Sequence, residues 1–225
     1  MNKHIIFTIL LLIFSIVFFA YSDLDNIVQD NFYNFDTLRW ILDSHEQPYR
    51  FIFYDGIKKL LIVIAISLVL SLIFIKKSKL INEYKKGIII VILSAILVPL
   101  TVGTLKKYTN MPCPESELRY DGKYPKTKVW ESYSIEFQHM DTCKCWPAGH
   151  ASGGFALLSL FFLFKSKQNK KIALTVAMSV AWSMGTYKML VGDHFLSHTI
   201  ITMILAWLII LIIAKVIKKQ SHLFF

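Results

Sequence analysis

Pro147-Ala148-Gly149-His150-Ala151-Ser152-Gly153-Gly154 sits at the start of an apolar run, Ala148–Phe164. A proline fits the first turn of a helix, where its missing N–H costs nothing. The small residues around it leave the backbone open to a ligand. The first N–H groups of such a helix lack intrahelical acceptors, and the helix dipole adds partial positive charge there, so the turn is suited to an anion. His150 adds a group that exchanges protons. Alone, the stretch reads in two ways: a cap on a membrane helix with an interfacial histidine, or a site.

Outward from this turn, the chain is a series of apolar runs. It has 225 residues, 55% of them hydrophobic, and a mean hydropathy of +0.50. The runs are Ile5–Tyr21, Leu60–Ile75, Gly87–Leu105, Ala148–Phe164, Ile172–Tyr187 and Thr199–Ala214, each roughly 16 to 19 residues long. These lengths fit membrane helices near the short limit, with flanking lysines able to snorkel. The first run has a bulky end, Phe18-Phe19-Ala20-Tyr21-Ser22, and no small-x-small cleavage site. It therefore reads as an uncleaved helix and not a signal peptide. The fold expected is all-α, a six-transmembrane-helix bundle in a single domain over 1–225. Residues 1–57 would be the first helix plus an interfacial segment, and 58–225 the helix core. Within 23–57, Trp40 and several tyrosines and phenylalanines suit a membrane interface, and Thr37–Leu42 reads either as a short interfacial helix or as ordinary loop.

The formal net charge is +10. Lys3, the cluster Lys76–Lys86, the cluster Lys165–Lys171 and the tail lysines 215, 218 and 219 fall on one side if the helices alternate. By the positive-inside rule that side is the cytoplasm. The lysine excess is thus a topology signal and no nucleic-acid partner is expected. Segments 22–58, 106–147 and 188–198 fall on the other side, which in a bacterial inner membrane is the periplasm, where disulfides persist. All three cysteines are there, and a Cys113–Cys145 or Cys113–Cys143 bridge is expected.

Three stretches share this outer face: Lys106–Pro114, the Pro147–His150 turn, and Lys188–His198. Together they carry lysines, three histidines, Asp193 and a helix start, a set suited to phosphate binding and proton transfer. Here the chain resembles the type 2 phosphatidic acid phosphatase superfamily, the membrane relatives of vanadium haloperoxidases. That pattern is Lys-x6-Arg-Pro, then Pro-Ser-Gly-His, then Ser-Arg-x5-His-x3-Asp. Lys106-x6-Cys113-Pro114 matches the first except at Arg, and Pro147-Ala148-Gly149-His150 the second except at Ser. Lys188-x5-His194-x3-His198 matches the third with Lys for Arg and His for Asp, and Tyr187 stands in place of Ser.

The resemblance implies phosphate transfer without metal or other cofactor. His194 would attack phosphorus and form a phosphohistidine. His150 would protonate the leaving oxygen and then activate water. Lys106, Lys188 and the N–H groups of Ala148 and Gly149 would hold the phosphate. His198 or Asp193 would orient a histidine. Arg119 is either a replacement for the missing arginine or a solvated loop residue, Ser152 either a stand-in hydroxyl or structural. The aromatic loop 115–146 reads either as a vestibule wall or as interfacial anchoring. The expected substrate is a membrane lipid phosphate (lipid A, undecaprenyl or phospholipid phosphate) in the bilayer's outer leaflet, hydrolysed at the periplasmic face. A lipid phosphotransferase and a non-catalytic lipid-phosphate binder are the alternatives.

Overall fold

The computed structural model describes residues 1–139 and 141–220. Its long helices are α1 (Asn2–Tyr21), α3 (Gly56–Phe74), α4 (Lys79–Leu105), α7 (Lys167–Leu190) and α8 (Leu196–Gln220), with shorter α2 (Leu24–Gln29), α5 (Gly149–Ala156) and α6 (Leu160–Leu163). Four stretches, Asn2–Tyr21, Phe51–Phe74, Lys79–Tyr108 and Leu196–Lys219, are long and apolar enough to cross a membrane. This is therefore a membrane protein.

The other two apolar runs take different forms. The run expected over Ala148–Phe164 is a shorter apolar helix, Gly149–Leu163, which passes through a 3-10 turn at Leu157–Ser159. The run Ile172–Tyr187 lies inside α7, whose first turn is polar and is capped by Ser166, which accepts the Asn169 N–H at 3.1 Å.

α5 sits at the centre and packs against α4, α7 and α8. Small residues make this possible. A side-chain carbon on Gly154 would stand 2.8 Å from the Ala181 Cα on α7. Ala148, Ala151, Ala177, Ala181 and Ala206 are buried around Phe155. α1 packs on α8, and α3 on the outside of α4. Lysine-rich ends gather opposite the site: Lys165 pairs with Glu83 at 2.6 Å, and Lys3 shares a surface depression with Lys215 and Lys219.

The segment between α1 and α3 has no helix over Thr37–Leu42, which the sequence leaves open between a short helix and ordinary loop. It forms a two-residue hairpin, β1 (Tyr33–Asn34) against β2 (Arg39–Trp40). Asn34 Oδ1 accepts the N–H groups of Asp36 and Thr37 at 2.9 Å, which turns the chain. The hairpin packs down: Tyr33, Trp40, Tyr120 and Phe195 form one aromatic cluster. Gly192, at φ +80°, lies against the Trp40 ring where no side chain would fit.

α2 is similarly engaged. Gln29 Nε2 donates to the Met189 carbonyl at 2.8 Å. Asp25 Oδ1 accepts the Ser197 N–H at 2.8 Å, so a residue distant in sequence caps the start of α8.

Candidate active site

The three outer-face stretches converge, and covalent and backbone links show how. Cys113 and Cys145 form a disulfide, which resolves the two pairings left open by the sequence, and Cys143 is free. The Thr109 hydroxyl donates to the Trp146 carbonyl at 2.8 Å. The Glu115 N–H donates to the Gly192 carbonyl at 2.9 Å. The end of α4, the approach to α5 and the α7–α8 turn are thereby tied into one unit.

Three histidines form a row inside it. His150 Nδ1 lies 3.4 Å from His194 Nε2. His194 Nδ1 lies 3.4 Å from His198 Nδ1. His198 Nε2 is buried without a partner among the described residues. The row has a local cause. His150 is in the first turn of α5, His198 in the first turn of α8, and the short turn Val191–Phe195 holds His194 between them. That turn is closed by the Asp193 and His194 N–H groups, which both donate to the Lys188 carbonyl, at 2.8 and 3.1 Å. Burial pushes the His194 imidazole well below the ordinary histidine range; nearby His198, His150, Lys106 and Lys188 act in the same direction. At neutral pH His194 is therefore uncharged, the form in which a ring nitrogen is nucleophilic.

The lysines flank this row. The Lys106 Nζ stands 3.6 Å from the position a side-chain carbon on Gly149 would occupy, so its ammonium lies beside the start of α5. Lys188 is buried and paired with Asp193. Its ammonium also lies 4.6 Å above the Tyr54 ring, and that ring meets His150 edge-on at 4.9 Å between centroids. Asp193 thus engages Lys188 and not a histidine, and the residue beside His194 is His198.

Several expectations change here. The Ala148 N–H donates to the His198 carbonyl at 3.4 Å, so this amide is turned toward α8 and the helix start offers the Gly149 and His150 amides. The Ser152 hydroxyl donates to the Gly149 carbonyl at 2.6 Å, a bond within the helix. Arg119 is a partly exposed loop residue that grips Asp30 through two bonds, at 2.9 and 2.6 Å. It does not replace the arginine absent at Cys113.

Glu115 was missed. Partial burial and neighbouring Asp193 raise its carboxyl to about 7. Its only sequence signal is its place next to Cys113-Pro114. Tyr54 was missed as a site wall because its segment reads simply as aromatic loop. Among the described residues, the cysteines are the group of metal-ligating side chains that converges. Two of their sulfurs are joined, so that group is spent.

A cavity of about 320 Å³ opens beside His150 and Gly149, with Lys58 at its rim and Leu61, Ala65, Ala95 and Pro99 as apolar walls. These walls belong to membrane-spanning parts of α3 and α4. The arrangement offers a neutral imidazole, a second one for proton exchange, cationic groups at a helix start, and an apolar groove.

A family model described as the PAP2 superfamily matches residues 87–222. No curated protein and no solved structure matches the chain.

Proposed function

The chain belongs to the type 2 phosphatidic acid phosphatase (PAP2) superfamily, a family of phosphatase-type phosphoester hydrolysis, and on that premise we propose that it removes phosphate from a membrane lipid. The observation that carries this reading is the 3.4 Å contact between His150 Nδ1 and His194 Nε2 at the start of α5. His194 Nε2 attacks phosphorus as the bond from phosphorus to the lipid oxygen breaks, and His150, which takes up a proton when the phosphate dianion binds beside it, gives that proton to the leaving oxygen. His150, now neutral, takes a proton from water. The water oxygen attacks the phosphohistidine, the P–N bond breaks, and inorganic phosphate leaves. Lys106, Lys188 and the Gly149 N–H hold the non-bridging oxygens. Such positioned charge is the main catalytic contribution in phosphoryl transfer.

The apolar groove beside His150 supports a substrate with acyl or prenyl chains. The lysine distribution supports a bundle of six spans in a bacterial inner membrane with the site on the periplasmic side. The substrate class is then a lipid phosphate exposed there: lipid A, undecaprenyl (di)phosphate, or a phospholipid phosphate. Transfer of the phosphate to another lipid alcohol is a close variant.

A second reading has specific support. Lys188 is occupied by Asp193, and His198 stands where the family carries an acid, so a lipid-phosphate binder without turnover also fits. Phosphate release from a panel of lipid phosphates, measured in detergent with chelator present, separates the two. The enzyme reading expects release that falls at least about 100-fold in His194→Ala and His150→Ala. Binding without release from any lipid, or undiminished release in both variants, overturns it.

A further inference from the structure

A second cavity, of about 200 Å³, lies away from the histidine row, between the outer end of α1, the loop 111–131 and the start of α8. Two carboxyl groups line it. Glu117 is 4% exposed and its carboxyl has no hydrogen bond or ion pair among the described residues. Asp25 is 5% exposed and is bonded to the Ser197 N–H. Three further buried atoms on residues of the lining lack partners among the described residues: Asn26 Oδ1, an acceptor, the Ser197 hydroxyl, and the Trp146 indole N–H, a donor. A buried carboxyl without a partner is costly. The lining thus holds two carboxyl groups and an amide oxygen that accept, and an indole N–H that only donates.

That polarity calls for a ligand with a cation that donates several hydrogen bonds and an oxygen-rich group attached to it. At the rim are Lys126, paired with Asp23 at 3.4 Å, and Lys128, paired with Glu131 at 3.0 Å and lying 4.8 Å over the Tyr21 ring. Pairs of this kind are weak and easily exchanged for a phosphate. Ile16 and Phe19 of α1 and Ile201 of α8 continue the wall into membrane-spanning helices. We propose that this cavity binds the headgroup of a phospholipid bearing a primary ammonium, the phosphoethanolamine type. Its ammonium would sit among Glu117, Asp25 and Asn26, and its phosphate would face the Trp146 N–H and the rim lysines. Burial raises the Glu117 carboxyl to about 7 and that of Asp25 to about 6, and the charge of nearby Lys126 offsets this only in part. The lipid would be a structural one. Asp25 caps the helix that carries His198, and Trp146 precedes the Pro147–His150 turn, so the ligand would brace two of the three stretches of the site. This inference is independent of the catalytic reading.

The test uses the full chain in phosphatidylcholine nanodiscs doped with phosphatidylethanolamine or phosphatidylglycerol, read by thermal unfolding and by native mass spectrometry of retained lipid. Choline carries no N–H and glycerol no charge, so only phosphatidylethanolamine should raise the unfolding midpoint and be retained. Glu117→Gln should leave the midpoint in pure phosphatidylcholine no lower than the parent's and weaken that retention on the order of tenfold, the loss of one charge-assisted bond. Trp146→Phe should weaken it less. Soluble glycerophosphoethanolamine should have no effect at concentrations where the lipid acts. Equal stabilisation by all three lipids, an unchanged lipid increment in Glu117→Gln, or an equal response to the soluble headgroup would overturn the proposal.

Discussion

His198 is where the proposed chemistry depends most on one proton. For His194 to present the Nε2 lone pair, its proton must be on Nδ1, donated to His198 Nδ1 across 3.4 Å. The proton of His198 is then on Nε2, a buried donor with no acceptor among the described residues. Leaving such a donor unmet costs about 1–3 kcal/mol. In the opposite arrangement His198 donates, its bare Nε2 is an unmet acceptor in its turn, and His194 carries its proton on Nε2, facing His150, where it cannot attack. Each arrangement leaves His198 Nε2 unmet, so that cost favours neither and the productive one is about half of the population. An aspartate at 198 has an oxygen at the same branch position as Nδ1 and only accepts. It holds the His194 proton on Nδ1 in every molecule. His198→Asp should therefore raise kcat at least about twofold with little change in KM, whereas His198→Leu, which removes the acceptor, should lower kcat roughly tenfold or more. Phosphate release from the best lipid of the panel, with thermal unfolding as a control for folding, measures both. A folded His198→Asp protein with unchanged or lower kcat, or a His198→Leu protein as active as the parent, would refute the tautomer argument.

Three other outcomes follow from the outer-face structure. The disulfide closes a separation of 32 residues and by chain entropy contributes about 4 kcal/mol; reductant, or Cys113→Ala with Cys145→Ala, should lower the unfolding midpoint and the activity together, and an unchanged midpoint would count against it. Arg119→Ala removes a pair in which Arg119 is 45% exposed, so it should cost less than about 1 kcal/mol and leave turnover intact; a large loss of kcat would return Arg119 to the site. Burial raises the Asp25 and Glu117 carboxyls to about 6 and about 7, above their unfolded values. The folded state keeps protons that the unfolded chain gives up. The contribution of these two groups is therefore fullest below about pH 4 and falls as pH rises toward 7, by about 3 kcal/mol for Asp25 alone. Unfolding midpoints of the parent and of Asp25→Asn with Glu117→Gln, compared across that range in phosphatidylcholine, should show the slope only in the parent; equal slopes would refute the assignment.

Much of the site was legible in the residues themselves. Lys106, His150 and His194 stand at or beside helix ends, and the expectation of alternating helices puts those ends at one level. Spacing also placed His198 beside His194, because residues four apart on a helix start share a side. What spacing did not carry was partner choice. Asp193 was weighed as an orienter for a histidine, but the turn after α7 brings its carboxylate to Lys188. The Ala148 amide was expected to face an anion, yet the packing of α5 on α8 turns it toward the His198 carbonyl.

By itself, then, the chain's pattern of apolar runs and lysine clusters determined that it is a helical membrane protein and which segments share a face, because burial in lipid and the placement of charge depend on local composition. Only the tertiary structure decided that residues 22–50 form a hairpin and a short helix clasped onto the turn bearing His194. It also chose Cys145 over Cys143 as the partner of Cys113. And it left Glu117 and Trp146 facing a second cavity. Such choices depend on contacts between residues far apart in the chain, such as Asp25 with Ser197 and Asp30 with Arg119. No local pattern encodes them, since what selects each partner is the geometry of closure and the need of each buried polar group for a counterpart.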